Sequence, residues 1–210
     1  MKTAITYHEK FKQYDLGEWH PFRGDRFANS IKLFKEKGLL ELPNVTLIEP
    51  EPATKKDLLR VHEERYIDLI FNLAKESRPY DLDTPTSPKI LEAALYIIGG
   101  ALKAGKAIYE EKLDRAVALG CGLHHAGRNY GGGFCLFNDI AILVNYLRQE
   151  HRLKRALILD YDVHFGNGTS DIFYTDPNVL FISIHQDPRT IFPGTGFIEQ
   201  IGEGTGTGYN

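Results

Sequence analysis

The sequence predicts an α/β fold, a mostly parallel sheet with helices on both faces, and three observations carry that expectation. Short apolar strands alternate along the chain with segments of helical periodicity. The run 157–159, Leu-Ile-Leu, has charge before it and glycine after it, the pattern of a strand buried on both faces of a parallel sheet. The 210 residues, 42% hydrophobic and 25% charged, can bury a substantial core, and no Pro/Ser-rich linker divides them, so residues 1–210 read as a single domain.

Taken in order, residues 3–7 alternate as a first strand, and a polar loop with His20, Pro21, Phe22, Arg23 and Arg26 follows. Phe27, Ile31 and Phe34 share one side of a helix over 27–40, with Gly38 as its stop signal. Residues 45–48 form a second strand. Thr54 and Asp57 resemble a capping box, opening a helix to about residue 75 whose apolar positions are Leu58, Val61, Ile67, Ile70 and Leu73. His62 stands beside that apolar side; with no second ligand at metal-binding spacing, it reads as a hydrogen-bonded core residue. Ser87-Pro88 starts a helix to about residue 111, in which Gly99 and Gly100 mark a place where another backbone packs closely.

The strand 115–119 runs into Gly120-Cys121-Gly122-Leu123-His124-His125. Histidine is the side chain whose charge changes nearest neutral pH, and a pair just past a strand end, with the Gly131-Gly132-Gly133-Phe134 run nearby, points to acid–base chemistry. A helix over 138–151 takes Asn138 as its cap; strands over 156–160 and 179–184 enclose a short helix over 169–174. Glycines at 202, 204, 206 and 208 predict a flexible loop, either a disordered tail or the front part of something longer.

The stretch 156–168 is the centre of the reading. Asp160, Asp162 and His164 alternate after the apolar run and share one side if the chain stays extended. Ionised carboxylates at a strand end need a cation or strong donors, and ligands gather at the carboxyl ends of strands in such sheets. A divalent metal is one explanation; polar residues that end a strand and cap the next helix are the other. Gly166 and Gly168 let the backbone turn sharply.

Net charge is −3, which gives no broad basic field for nucleic acid or an anionic membrane. Cys121 and Cys135 are not a disulfide framework, and no signal-peptide core or membrane-length apolar run is present; a cytoplasmic setting fits.

Four motifs in register, His124-His125-Ala126, Gly133-Phe134-Cys135-Leu136-Phe137-Asn138-Asp139, Asp160-Tyr161-Asp162-Val163-His164 with Gly166-Asn167-Gly168, and Phe192-Pro193-Gly194-Thr195-Gly196, resemble those of the histone deacetylase family. That family includes bacterial acetoin-utilization proteins and acetylpolyamine amidohydrolases. His20-Pro21 with Arg26, and Asp83-Thr84-Pro85, look like its amino-terminal signatures. The resemblance implies a three-layer αβα, arginase/deacetylase-like fold, truncated at the carboxyl end. It implies a metal-dependent hydrolase that deacetylates acetylated lysine or an acetylated amine, with Zn2+ (or Fe2+) as cofactor and K+ near Asp160, Asp162, His164 and Ser183. Asp162 and His164 would be metal ligands. His124 and His125 would handle protons, with Asp160 behind His124 and Asn167 behind His125. Gly133, Phe134, Phe192 and Asp83 would hold substrate, and Arg26 would lie in an inner channel.

Three departures accompany the resemblance. Phe165 stands where many relatives carry a second histidine, and its side chain should point away from the metal. The family's third ligand, an aspartate, and its oxyanion tyrosine lie past residue 210, so this chain is expected to be inactive or nearly so. A non-catalytic acyl-lysine-binding remnant is therefore one alternative. A magnesium-dependent aspartyl-phosphate phosphatase, using Asp160 and Asp162, is another, though it leaves His124, His125 and Phe192 unused.

Overall fold

Five short strands and six α-helices alternate along the chain in a computed structural model that describes residues 1–210, and every strand pairing is parallel. Strand β1 (Thr3–Thr6) lies between β2 (Val45–Ile48) and β3 (Arg115–Ala118), with Ile5 opposite both Leu47 and Val117. Strand β4 (Ala156–Asp160) pairs with β5 (Val179–Ser183), Asp160 standing opposite Ser183. The parallel α/β expectation holds, but the sheet comes in two pieces: β3 and β4 are not hydrogen-bonded neighbours.

The helices are α1 (Asp25–Glu36), α2 (Lys55–Leu58), α3 (Glu64–Glu76), α4 (Pro88–Tyr109), α5 (Asp139–His151) and α6 (Asn167–Phe173). Their caps follow from the sequence. Ser87 Oγ accepts the Ile90 amide, Asn138 Oδ1 accepts the Ala141 amide, and Thr54 with Asp57 forms the expected capping box. Helix α4 is the spine of the core, burying Ile90, Ala93, Ala94, Ile97 and Ile98. Its glycines do what their placement predicts. A Cβ at Gly99 would lie 1.8 Å from the Glu51 carbonyl oxygen, and one at Gly100 would lie 3.0 Å from Thr6 Oγ1, so the pair lets the 51–53 segment and β1 approach the helix.

Three expectations need correction. The helix expected over 54–75 is two helices, because the Glu63 amide bonds the Arg128 carbonyl at 2.8 Å and interrupts the helical ladder, which frees the His62 ring to turn into the core. Strand β4 is covered on one face only: Ile158 is buried, whereas Leu157 and Leu159 are 62% and 51% exposed, since nothing in the chain packs over their side. The glycine-rich end is pinned rather than loose. The Glu203 amide bonds the Tyr174 carbonyl, the Phe181 amide bonds the Tyr209 carbonyl, and a Cβ at Gly206 would meet Tyr174 O at 2.5 Å. No helix is long and apolar enough to cross a membrane.

Alanine normally stabilises a helix relative to glycine by about 1 kcal/mol. At Gly99 the sign should reverse: Gly99→Ala drives a Cβ into backbone and is expected to destabilise by about 1–3 kcal/mol, read as a lower urea midpoint at unchanged m.

Candidate active site

Three connections build the site: the segment after β3, the 131–137 turn, and the segment between β4 and α6. After β3, Gly120 and Gly122 take positive φ, and the buried Asp139 carboxylate accepts the amides of Gly122 (3.1 Å) and Leu123 (2.7 Å), which leads the chain into His124 and His125. A cavity of about 520 Å³ opens there. Of the residues expected from sequence, Arg26, Asp83, His124, His125, Gly133, Phe134, Asp162, His164 and Phe192 all line it. Asp160 and Asn167 sit behind the two histidines.

His124 Nδ1 lies 2.6 Å from Asp160 Oδ2, and His125 Nδ1 lies 2.7 Å from Asn167 Oδ1. Both acceptors are oxygens, so each ring donates from Nδ1 and keeps Nε2 for the cavity. The rings face each other at 4.1 Å. Burial, and then the neighbouring His124, push His125 down to about 4 against the raising effect of Asn167; it is a neutral base at pH 7.

Asp160, Asp162 and His164 do not share one side. The strand ends at Asp160, whose Oδ1 accepts the Asp162 amide at 3.1 Å, and the chain bends. Asp160 turns inward to His124, while Asp162 Oδ1 meets His164 Nδ1 at 2.9 Å in the cavity wall. Burial raises the Asp162 carboxyl, but hydrogen bonds from the His164 amide and ring outweigh it, so the group stays ionised. These two donors fit a metal as part of a ligand set: two atoms on one ion at about 2.0–2.2 Å can stand about 3 Å apart. No group of three His, Cys, Asp or Glu side chains converges at one point. Phe165 points away, packing on Phe181 and His185.

The glycines act by size. Gly166 has φ of −76°, so it makes no left-handed turn; a Cβ there would lie 2.4 Å from Asp160 Oδ2, and one at Gly168 would lie 2.4 Å from the Ala126 carbonyl. The expected sharp turn is present at Gly166 as an inverse γ-turn, ψ 66° with the Asn167 amide on the Phe165 carbonyl at 2.9 Å, and what requires glycine at both positions is close approach. Gly133, at φ +52°, likewise presses on the His125 ring.

Several residues of the site have no sequence signal. Phe134 is held at φ +74° by Tyr14, whose hydroxyl donates to its carbonyl at 2.6 Å, and by Thr84, whose Oγ1 accepts its amide at 3.3 Å. Tyr130 donates to Asp171 and receives the Asn167 amide. Such partners lie tens of residues away, and a tyrosine or threonine in a polar stretch carries no local mark of the group it will meet. His20 reaches the Asp83 carbonyl at 3.1 Å and its ring meets Phe134, tying the two amino-terminal loops at the mouth. Burial, with Asp81 adding, pushes the Asp83 carboxyl above its ordinary value. His62 is the buried polar residue expected: Nδ1 donates to the Gly127 carbonyl at 2.8 Å, and Nε2 accepts the Asn138 amide at 3.0 Å.

The family profile described as Histone deacetylase domain matches residues 20–210. The chain is 38% identical to a probable deacetylase of Archaeoglobus fulgidus, covering 100% of this chain and 58% of that protein. It is 33% identical to the acetoin utilization protein AcuC of Bacillus subtilis, over 99% of this chain and 55% of the relative. Among solved structures, an HDAC homologue from Aquifex aeolicus superposes with a TM-score of 0.90 at 28% identity, covering 100% of this chain and 58% of that one. An HDAC homologue complexed with SAHA gives 0.91 at the same identity. The chain thus spans a little over half the length of the proteins it matches.

A pH dependence of stability follows from the two depressed histidines. Burial lowers His62 from 6.5 to about 4, and His125 to about 4 as well. Between those values the unfolded chain binds protons that the folded chain refuses, so stability is complete above pH 6.5 and falls with pH below it. Each group contributes a slope of roughly 1.4 kcal/mol per pH unit. Urea titrations in chelator at pH 7, 6 and 5 should show this slope, and His62→Phe should about halve it.

Proposed function

The chain belongs to the histone deacetylase family, and from that membership we propose that its site is that of a metal-dependent amide hydrolase acting on acetylated lysine or a small acetylated amine. The observation that carries the reading is the pair of imidazoles with different backing, a carboxylate for His124 and a neutral amide for His125, in one cavity wall with Asp162 and His164. Backing of unequal charge separates the two roles. Neutral His125, donating from Nδ1, offers Nε2 to take the proton of an attacking water. His124, whose Nδ1–H is held by Asp160, carries a proton on Nε2 to the departing amine.

Asp162 and His164 would hold the ion, zinc or iron(II). When bound, such an ion supplies a Lewis acid for the amide carbonyl and makes a nearby water more acidic. Phe134 and Phe192 flank an extended apolar stem, the Gly133 carbonyl accepts the substrate amide N–H, Asp83 receives the backbone or amine at the mouth, and Arg26 lies on the α1 side of the cavity. Potassium near Asp160 and Ser183 belongs to the same proposal. Cys121 and Cys135 are free thiols, which suits a reducing cytoplasm.

Two protein donors bind zinc weakly, so turnover by the 210-residue chain should be slow or absent. The test is zinc titration by calorimetry together with acetate release from an acetyl-lysine peptide and an acetylated diamine. His164→Ala is expected to abolish zinc binding. His125→Ala should lower any hydrolysis by about 10²–10⁴-fold. Peptide binding without hydrolysis would favour the second reading, an acyl-lysine binder whose ligand set is incomplete; failure to bind either zinc or peptide would overturn both.

A further inference from the structure

The backbone that carries the two histidines is held from behind by a buried polar knot. Three of its carbonyls are engaged from three separate places in the fold. The His124 carbonyl accepts the Thr169 amide of α6 at 3.0 Å, the Ala126 carbonyl accepts Asn138 Nδ2 at the cap of α5 at 3.1 Å, and the Gly127 carbonyl accepts His62 Nδ1 at 2.8 Å. Asn138 Nδ2 also reaches Thr169 Oγ1 at 3.0 Å, while its Oδ1 caps α5. The other face of the segment leaves no room to move, since Gly168 touches the Ala126 carbonyl.

His62 is the hub of this knot. It is 2% exposed, packed between the rings of Tyr66 and Phe137, and both ring nitrogens are used with opposite polarity. One donates to Gly127 and the other accepts from Asn138, so a single neutral tautomer satisfies two backbone groups on segments remote in sequence. The charged neighbour is Arg128, whose guanidinium is turned to the Ile172 carbonyl. An apolar side chain of the same size would fill the space and leave a buried carbonyl and a buried amide unpaired. Space filling alone does not need a histidine.

We propose that His62 is a positioning residue for the His124–His125 pair: through Gly127 and Asn138 it fixes the backbone from which both imidazoles project. Its importance to catalysis rests on the function proposed above, but its effect on geometry does not.

The test is NMR on the isotope-labelled 210-residue chain, with His62→Phe, His62→Asn, His62→Gln and Asn138→Asp. Asparagine places an amide nitrogen at the Nδ1 position and keeps the Gly127 bond; glutamine places an oxygen near Nε2 and keeps the Asn138 bond. Asn138→Asp keeps the α5 cap and loses donation to Ala126. In His62→Phe, the imidazole and amide resonances of His124 and His125 should move by more than a line width. The Thr169 amide should exchange with solvent about tenfold faster relative to amides of β1 and α4. His62→Asn and His62→Gln should each restore part of this, and Asn138→Asp should reproduce the shift at His124 and His125. The proposal is overturned if those resonances stay in place and Thr169 exchange rises only in step with β1 and α4, which is a general loss of stability. If His62→Phe does not fold, His62→Asn and His62→Gln decide: each keeps only one of the two bonds, so each should still move the His124 and His125 resonances by more than a line width from their native positions, and resonances that stay in place in both overturn the proposal. A native chain that binds neither zinc nor peptide would sink the proposed function and leave this result to be read as it stands.

Discussion

The two imidazoles stand 4.1 Å apart with an acceptor behind each, and both acceptors come from the other side of the break in the sheet, at β4 and α6. His124 and His125 follow β3, whereas Asp160 ends β4 and Asn167 opens α6. Since β3 and β4 share no strand pairing, these two short hydrogen bonds, with the Thr169–His124 bond, join the two pieces of sheet at their functional ends. The site therefore works as a structural joint as well as a reactive centre. Changes to Asp160 or Asn167 act on the alignment of the sheet pieces and on the histidines together.

Close approach is the second organising device. Glycines at 99, 133, 166 and 168 sit where a single methyl group would meet a carbonyl, a carboxylate or an imidazole. Each removes volume where two segments cross, and polar bonds then use the proximity. Helix α4 reaches the 51–53 segment this way, and α6 reaches the histidine segment. The favourable term is the set of short buried hydrogen bonds, which are strong where water is excluded; the unfavourable term is the helix propensity given up at Gly99.

Much of this is legible in the sequence, because local patterns and local structure coincide over most of the chain. The caps at Thr54, Ser87 and Asn138, the strand at 45–48 and the paired histidines after an apolar strand are all signals within a few residues of what they predict. The errors fall where a distant segment intervenes. The helix over 54–75 breaks because Glu63 finds a carbonyl at Arg128, and Asp160 parts from Asp162 because His124 claims it. Tyr14, which with Thr84 holds Phe134 in its left-handed conformation, is invisible for the same reason: its partner is far away in sequence, and a buried tyrosine carries no mark of the carbonyl it will meet. Strand β4 reads as doubly buried because the apolar run is real, yet only its Ile158 side finds cover within these residues.

That uncovered side has a consequence for handling the molecule. Leu157, Leu159, Tyr161 and Val163 on one segment and Ile182 and Ile184 on the next present greasy side chains to water, and the edge of β4 away from β5 carries backbone groups with no strand beside them. Flat, unguarded margins of this kind template sideways stacking between identical molecules. A net charge of only −3 offers little long-range repulsion against it. Self-association of the isolated polypeptide should thus rise with concentration and salt, and a single lysine replacing Leu157 or Leu159 would act as a gatekeeper without touching the histidine cavity.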